Sequence, residues 1–401
     1  MSLLPVADAQ ARLLALATPL PAFPLPLTEA AGRYLAEALA AGRDQPWTDL
    51  SAMDGYAVRH ADIPGPWRLT GETAAGAVPS GELLAPGTTM RIFTGAPLPP
   101  GADTVVLQED VSADGDMIRL TGDGPGALGR HVRLRASDFA RGDALLPAGC
   151  RLGPAQIALA ALGGHAAVPV RTRPRVAILS TGDELVPPGA PCPPGKLPAS
   201  NGAMLRAMIE SAGGTVIGER LIPDDLAAIT AAMRAASEAD IIVTSGGASV
   251  GDHDLVRPAL EGAGGNIDFW RIAMRPGKPL IVGRLGQAIV LGLPGNPVSA
   301  LVTGALFLLP LVRHLGGSAA PLPRPRTGRL GAAMSAVGGR TDYIRAVIED
   351  DVVTPIGFQD SAAMRAAAQA NALIIRPAGS PAAQTGDLTQ LLEWSALGLD
   401  G

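Results

Sequence analysis

Acidic and basic residues that could carry out chemistry collect in the middle of the chain. Asp183 and Glu184 follow one short apolar run, and Asp252 and Asp254 follow another. The segment Arg275 to Pro279, RPGKP, adds two strong cations, each directly followed or preceded by a proline or glycine turn residue. Carboxylates alone suit a hard divalent cation, and carboxylates beside Lys, Arg and amide-rich loops suit a cation shared with a phosphate. The residue types therefore predict a site for an anion and a metal.

Taken singly, these residues have ordinary interpretations. Asp183 and Glu184 are typical of turns, Asp252 or Asp254 could cap the helix that follows, and Lys278 alone is more often a solvated surface lysine. The sequence has no Walker A motif and no GxGxxG after a strand, which disfavours an ordinary NTPase or dinucleotide enzyme. The functional interpretation is favoured because these residues are expected to lie together at one edge of a β-sheet.

The stretch LGLPGNPVSA, residues 291 to 300, has the chemistry of a rigid strand-to-helix turn. Pro294 and Pro297 fix φ and remove donors, Gly295 permits a conformation closed to other residues, and Asn296 is a good N-cap before a proline at the first helical position. The free amides and the positive end of the helix would attract an anion. The alternative is a well-made turn without a ligand, because such turns recur in α/β domains.

From Arg175 onward, strands alternate with helices, which predicts a mostly parallel sheet covered on both faces. Such sheets bind ligands at the carboxyl ends of their strands. Three loops would lie at that edge, namely TGDE (181–184), SGGASVGDHD (245–254) and GLPGNP (292–297). The sequence therefore predicts one α/β domain with its site at one edge.

The rest of the chain reads as smaller units on either side of this domain. Two helices are predicted to open the chain, at Val6 to Ala17 and Thr28 to Ala40. Short β-like runs begin at Gln45, and a helix at Pro154 to Leu162 suggests that the β-rich unit is inserted into a helical one. The predicted domains are a helical N-terminal domain (1–44 and 139–172), an inserted β-rich domain (45–138), a central α/β domain (173–318) and a C-terminal β domain (319–401).

Composition excludes several classes of function. With a formal net charge of −5 and 3% aromatic residues, the chain offers no basic face for nucleic acid. Cys150 and Cys192 lie far apart, which argues against a zinc site or a disulfide framework and suits a reducing compartment. The longest apolar run, Val298 to Val312, is shorter than the ~20 residues of a membrane span and contains Pro310. We expect a soluble, cytoplasmic protein with no nucleic-acid or membrane partner.

Three residues of the predicted β-rich unit have simple local explanations. Asp54 lies in SAMDGYAV, where an Asp-Gly pair before an alternating run is typical of a turn. Thr94, in FTGAP, is uninformative by itself. Asp138 lies among three arginines in RLRASDFAR, an arrangement that usually means solvated ion pairs of small value.

Seven motifs together closely resemble the MoeA family of molybdopterin molybdenumtransferases, which is related to the E domain of gephyrin. The motifs are SAMDGYAV, RIFTGAPLPPGADTVV, LSTGDEL, SGGASVGDHD, MRPGKP, GLPGNPVSA and GRTDYIR, and they span nearly the whole chain in the family's order. The resemblance implies a MogA/MoaB-like central α/β domain and a β-barrel-like C-terminal domain. It implies a reaction in which a divalent cation such as Mg²⁺ helps to cleave AMP from adenylylated molybdopterin while molybdate enters the dithiolene.

The resemblance also assigns roles residue by residue. It implies catalytic roles for Asp54, Thr94, Asp138, Glu184, Asp224 and Asp254, with Asp225 as a possible substitute for Asp224. It implies metal ligands at Asp54, Glu184 and Asp254. It implies substrate contacts at Ser245, Gly246, Gly247, Ser249, Arg275, Lys278, Pro279, Pro294, Gly295, Asn296, Pro297, Arg345 and Ser361.

The family's pattern places Asp54 and Thr94 in the site of a partner subunit, which implies a homodimer. A MogA-like molybdopterin adenylyltransferase and molybdoenzyme apoproteins are the further partners that it suggests. Arg275 stands where the family usually has lysine, and Ala199 replaces a common aspartate, so contacts to molybdate and to the pterin or adenylate can differ. Alternatives are a non-catalytic scaffold on this fold, a tungstate-inserting enzyme or an adenylylating one.

Overall fold

The computed structural model describes residues 3–78, 81–247 and 255–399. Within these residues the chain builds three six-stranded sheets and several two-stranded ones. Each large sheet belongs to a different stretch of the chain, so the protein is multidomain, as predicted.

The central sheet is mostly parallel. Five of its strands run in the same direction, and Ile281–Leu285 runs antiparallel to both of its neighbours. Alternate residues of the buried strands reach two different cores: Val176 and Ile178 pack in one, and Ala177 and Leu179 in the other. Apolar side chains on both faces are what a sheet covered by helices requires. In spatial order the strands are Thr215–Ile222, Arg175–Thr181, Ile241–Ser245, Ala288–Leu293, Ile281–Leu285 and Asn266–Trp270.

Helices cover both faces of this sheet. Leu226–Ala235 and Val256–Ala263 contribute to the smaller core. The larger core is covered by Val6–Ala15, Ser200–Ser211 and a continuous helical segment made of Pro297–Thr303, the π-helical Gly304–Leu308 and Leu309–Leu315. In this segment, Pro297–Leu315 is long and apolar enough to cross a membrane, but 83% of its most apolar window is buried in the protein. It is the core helix of the domain.

The predicted helix at Thr28 to Ala40 is wrong. The chain there forms only a 3-10 turn at Leu27–Glu29 and then pairs with distant segments, because Leu39–Ala40 lies antiparallel to Ala144–Leu146. Gly32 adopts a φ of +74°, which interrupts a right-handed helix. The apolar positions of the pattern are nevertheless buried, so tertiary strand pairing replaced the local helical preference.

This N-terminal unit therefore combines short strand pairs with one helix, and is less helical than predicted. Ala22–Pro26 pairs with Ala167–Arg171, and the predicted helix at Pro154 to Leu162 forms with those bounds. The first helix, Val6–Ala15, lies against the α/β domain instead, where the Gln10 side-chain amide donates to the Leu306 carbonyl at 2.8 Å.

The inserted unit is a six-stranded sheet, as the β-like texture predicted. Gly55 is required in it, because a Cβ at this position would lie 2.0 Å from the Val106 carbonyl oxygen of the adjacent strand. The residue after Asp54 must therefore lack a side chain. In spatial order the strands are Thr104–Leu107, Gly55–Val58, Thr88–Ile92, Trp67–Thr73, Met117–Leu120 and Val111–Asp114.

The C-terminal strands close into a five-stranded barrel. Thr341–Glu349 pairs with both Val352–Pro355 and Ala372–Arg376, which completes the ring. The short strand Met274–Arg275 of the α/β region pairs in parallel with Thr341 and Asp342 and joins the barrel to it. The other barrel strands are Arg326–Leu330 and Leu388–Glu393, and the helices of this region are Met364–Gln369 and Trp394–Leu397.

The close approach at Gly55 predicts a large effect for a small substitution. Gly55→Ala must separate two paired strands, and overpacking of this kind costs about 1–3 kcal/mol of unfolding free energy. Gly71→Ala in the same sheet is the control, because its Cβ would come only within 3.7 Å of the flexible Met90 side chain. Chemical denaturation measures both, and a Gly55→Ala protein as stable as the Gly71→Ala protein would contradict the close packing.

Candidate active site

A cavity of about 610 Å³ opens at the carboxyl ends of the central strands. We call it the strand-end cavity. Register creates it, because Ser180 pairs with Ser245 and Ser245 pairs with Leu293, so three strands end side by side. Ten of the predicted site residues line it: Glu184, Asp224, Ser245, Gly246, Gly247, Pro279, Pro294, Gly295, Asn296 and Pro297.

Gly246 allows two of the lining loops to touch. Its φ is +102°, and a Cβ there would lie 2.3 Å from the Thr181 carbonyl oxygen. Only glycine combines this backbone conformation with this contact. The cavity floor beside it carries the hydroxyl oxygens of Ser180 and Thr181, which have no hydrogen-bond partner among the described residues.

The helix begins at Pro297 as predicted, but Gly295 does not have a positive φ and Asn296 does not make the predicted cap. Pro297 occupies the first helical position, and Asn296 has extended dihedrals at the N-cap. The Asn296 side chain, however, makes no cap hydrogen bond and donates instead to the Ser361 hydroxyl at 2.9 Å. The Val298 amide, which has no acceptor within its own helix, donates to the Ser361 carbonyl oxygen at 3.0 Å. The loop that carries Ser361 therefore accepts the hydrogen bond that an N-cap side chain would otherwise accept, and it holds the turn in place.

Asn201 connects two walls of the cavity and was missed by the sequence analysis as a site residue. Its side-chain nitrogen donates to the Ser245 hydroxyl at 2.7 Å and to the Gly295 carbonyl at 2.8 Å. The sequence signal was only an asparagine in the first turn of a helix. Its importance depends on the meeting of two loops that are 50 residues apart in the sequence.

Of the predicted acids, Glu184 and Asp224 line the cavity. Asp183 is a turn residue whose carboxylate accepts from the Asp224 amide at 3.1 Å. Asp225 caps the helix Leu226–Ala235 by accepting from the Ala228 amide at 2.7 Å. Asp225 thus has a structural role at the helix N-terminus, whereas Asp224 lies in the cavity lining.

Ser249 and Asp254 lie outside the residues that the structure describes, as do Asp252 and His253. Within the described ranges, no three His, Cys, Asp or Glu side chains are close enough together to hold a metal ion. The donors that remain, Glu184 and Asp224, are hard carboxylate oxygens without a hydrogen-bond or ion-pair partner among those residues. Their chemistry fits Mg²⁺.

A second cavity, of about 910 Å³, lies between the α/β region and the barrel and shares Pro279 with the first. We call it the barrel-side cavity. Lys278 lines it, and its ammonium group has no partner among the described residues. The exposed Arg275 side chain forms an ion pair with the buried Asp342. Predicted residues in its lining are Arg275, Lys278, Pro279 and Ser361.

Tyr343 also lines the barrel-side cavity, and burial raises its pKa to about 12. The phenol is therefore a neutral donor at every physiological pH. The cavity thus combines a free ammonium, a guanidinium and hydroxyl groups, which are the donors that an oxyanion needs.

Arg345 lines neither cavity. It is 2% exposed, and its guanidinium donates to the Gln359 side chain at 3.3 Å and to the Phe358 and Ala363 carbonyls at 3.1 and 3.3 Å. Burial lowers its pKa. In this structure Arg345 holds the loop that carries Ser361, instead of reaching an anion itself.

Asp54 and Thr94 form a preassembled pair on the inserted sheet. The Thr94 amide and hydroxyl donate to one Asp54 carboxylate oxygen, at 2.7 and 2.9 Å. These hydrogen bonds, the amide's above all, lower the pKa of Asp54. Both residues are exposed, and neither is part of the lining of the two cavities of the same chain.

Asp138 is exposed and likewise lies outside both linings. The surface ion pair suggested for it from its three arginine neighbours is wrong, because Arg135 pairs with Asp44 instead, at 2.6 Å. The backbone amide of Asp138 donates to the Gln45 carbonyl at 3.0 Å. The Asp138 carboxylate has no hydrogen-bond or ion-pair partner among the described residues.

The Thr94 hydroxyl should measurably tune Asp54. Thr94→Val removes the hydroxyl donor and keeps the amide, so the pKa of Asp54 should rise toward its ordinary value, whereas Thr94→Ser should leave it low. A carbon-detected NMR titration of the Asp54 carboxyl measures this. Because a depressed carboxyl pKa stabilises the fold at neutral pH and this effect is lost on acidification, the stability difference between wild type and Thr94→Val should shrink as the pH falls. An unchanged titration in Thr94→Val would contradict the hydrogen bond.

Comparison with known proteins agrees with this architecture. Three family models match in order: the MoeA N-terminal region (domain I and II) over 4–164, a probable molybdopterin binding domain over 177–314 and the MoeA C-terminal region (domain IV) over 327–394.

Named relatives span nearly the whole chain. Molybdopterin molybdenumtransferase 2 of Mycobacterium tuberculosis is 37% identical over 384 residues, covering 92% of this chain and 94% of that protein. Molybdopterin molybdenumtransferase of Haemophilus influenzae is 36% identical over 360 residues, 88% of each. A crystal structure of the molybdopterin biosynthesis MoeA protein of Pyrococcus horikoshii, 27% identical, superposes with a TM-score of 0.84 over 98% of this chain and 100% of that one. The chain therefore belongs to the MoeA family of molybdopterin molybdenumtransferases, which are transferase enzymes of molybdenum cofactor biosynthesis.

Proposed function

We propose that the enzyme inserts molybdate into adenylylated molybdopterin with release of AMP, in a Mg²⁺-dependent final step of cofactor synthesis. The observation that carries the proposal is the pair of adjoining cavities. One combines two unpaired carboxylates with amide-rich loops, and the other combines Lys278 with Arg275 and hydroxyls. A phosphoanhydride and a tetrahedral dianion need these two environments next to each other.

In the strand-end cavity, the backbone amides of Gly247, Gly295 and Asn296 have no acceptor among the described residues and are suited to the substrate's phosphates, whereas the Gly246 amide already donates to the Leu293 carbonyl. Glu184 and Asp224, with Asp54 of a second subunit and Asp254, are the carboxylates that would hold Mg²⁺. When bound, Mg²⁺ would neutralise charge on the phosphoanhydride. Pro294 and Pro297 keep the amide-bearing loop rigid, which limits its reorganisation during the reaction.

In the barrel-side cavity, Lys278, Arg275 and Ser361 are the groups that would hold molybdate. Lys278 is free to do so, whereas Arg275 must share its guanidinium with Asp342. Arg345 serves the same step indirectly by holding the Ser361 loop. Pro279 lines both cavities, so the two cavities adjoin. One substrate could therefore place its phosphate in the strand-end cavity and its dithiolene beside the oxyanion in the barrel-side cavity.

We further propose a homodimer in which each site takes Asp54, Thr94 and Asp138 from the partner subunit. Two observations support this: these residues are exposed and outside the cavities of their own chain, and the same unit exposes Trp47 and Met53 at 47% and 42%. Apolar side chains at this exposure suit a protein interface.

We place the enzyme in the cytoplasm, with a MogA-like adenylyltransferase as the source of its substrate and molybdoenzyme apoproteins as recipients. A scaffold role is the competing hypothesis from another class, but a scaffold does not need unpaired carboxylates beside a free lysine. Tungstate insertion is the competing reaction, and competition between tungstate and molybdate for binding separates the two.

Release of AMP tests the proposed reaction. Purified protein with adenylylated molybdopterin, Mg²⁺ and molybdate should release AMP. Glu184→Gln should slow this release by roughly 100-fold or more, because mutating even the residues that hydrogen-bond to metal ligands typically lowers activity about 10- to 100-fold. Glu238→Gln, an exposed acid of the same domain away from the cavity, is the control and should act like wild type. Absence of AMP release by the wild type under these conditions would refute the proposed reaction.

Mixed dimers test whether each site is built from two subunits. Asp54→Asn and Glu184→Gln chains should each be inactive alone, but their mixed dimers contain one intact site, so random pairing should restore about a quarter of wild-type AMP release. Mixing Asp54→Asn with Asp54→Ala is the matched control, because every site in that mixture then lacks the Asp54 carboxylate. Equal lack of recovery in the two mixtures would contradict a site built from two subunits.

A further inference from the structure

Arg91 lies at the end of the strand Thr88–Ile92, three residues before Thr94. Its guanidinium carbon is 5.1 Å from the centroid of the Tyr56 ring and 5.0 Å from that of Phe93. A guanidinium at this distance from an aromatic face is attracted to it, and here two rings contribute. Tyr56 lies in the strand Gly55–Val58, and Phe93 directly follows the strand Thr88–Ile92, so the contact joins the segment that follows Asp54 to the segment that precedes Thr94.

The hydrogen bonds of Arg91 point to the same place. One terminal nitrogen donates to the Gly55 carbonyl at 3.2 Å, and the other donates to the Gln108 side chain. The backbone amide of Gln108 in turn donates to the Asp54 backbone carbonyl at 3.3 Å. Arg91 thus holds the backbone on the carboxyl side of Asp54 directly, and the Asp54 carbonyl through one intermediate residue.

Arg91 forms no ion pair with a carboxylate among the described residues, and its side chain is only partly exposed. A solvated surface arginine would not be expected between two rings with both terminal nitrogens on fixed acceptors. Apart from the hydrogen bond to Gln108, its contacts lie on the two segments that carry Asp54 and Thr94, whose side chains meet at 2.9 Å.

We propose that Arg91 is a positioning residue that fixes the Asp54 and Thr94 segments relative to one another, so that the two side chains enter the partner's site as one preformed unit. The inference rests on the proposed function for the catalytic consequence, but its structural content stands on the Arg91 contacts alone. The physical reason is that a planar guanidinium can stack on two rings and donate in two directions at once, which lysine cannot do.

The test compares Arg91→Met, Arg91→Lys and the control Arg119→Met, an exposed arginine on another strand of the same sheet. The first readout is hydrogen exchange of the Thr94 amide, which donates to Asp54, in the full-length protein. Arg91→Met should accelerate this exchange, Arg91→Lys should do so less, and Arg119→Met should not. The amides of Ala57 and Val105 in the same sheet should keep wild-type protection, which shows that the sheet remains folded.

The second readout is AMP release, where Arg91→Met should lower kcat by roughly 10- to 100-fold with little change in KM, as expected for misplaced catalytic groups. Faster Thr94 exchange with unchanged AMP release would support the positioning role and would count against a role of Asp54 and Thr94 in the reaction. Unchanged Thr94 exchange in Arg91→Met would overturn the inference. Equal loss of protection at Thr94, Ala57 and Val105 in both Arg91 variants would also overturn it, in favour of a general role in stability.

Discussion

The strand register of the central sheet is the constraint on which the rest of the structure depends. Ser180, Ser245 and Leu293 are mutually aligned neighbours, so the loops that follow three strands begin at the same level. Gly246 then lets one loop contact the backbone of another. A slip of one residue would turn the alternating side chains to the opposite core and would remove the edge on which the cavity is built.

The C-terminal barrel is coupled to this edge by specific hydrogen bonds. Ser361 accepts from the Val298 amide through its carbonyl and from Asn296 through its hydroxyl, and Arg345 holds the loop that presents it. Arg275 and Asp342 add an ion pair next to the strand pairing that joins the two regions. Both cavities therefore depend on the position of the barrel, although only one is formed mainly by barrel residues.

Much of the fold follows from the sequence because its strands are strongly apolar and its turns are chemically distinctive. The α/β order, the bounds of Pro154–Leu162 and the gathering of three loops are consequences of local pattern and of the rule for parallel sheets. The helix expected at Thr28 to Ala40 failed because its apolar residues are buried by pairing with distant strands, which no local pattern encodes.

The site was less predictable than the fold. The parts of the site that local sequence does not determine are set by tertiary contacts. Asn201 joins two distant loops, and the Asn296 side chain donates to Ser361. Arg345 is buried and donates to backbone carbonyls. The choice between Asp224 and Asp225 was open in the sequence, and the cap made by Asp225 distinguishes their environments.

The central claim is that one substrate spans the two cavities and is completed by a second subunit. A crystal structure with adenylylated molybdopterin and molybdate tests it most directly. We expect phosphate density against residues 245–247 and 294–297, the oxyanion beside Lys278, and Asp54 of the partner subunit facing Glu184. Ligand density elsewhere, or an Asp54 that faces only solvent in the bound dimer, would contradict it.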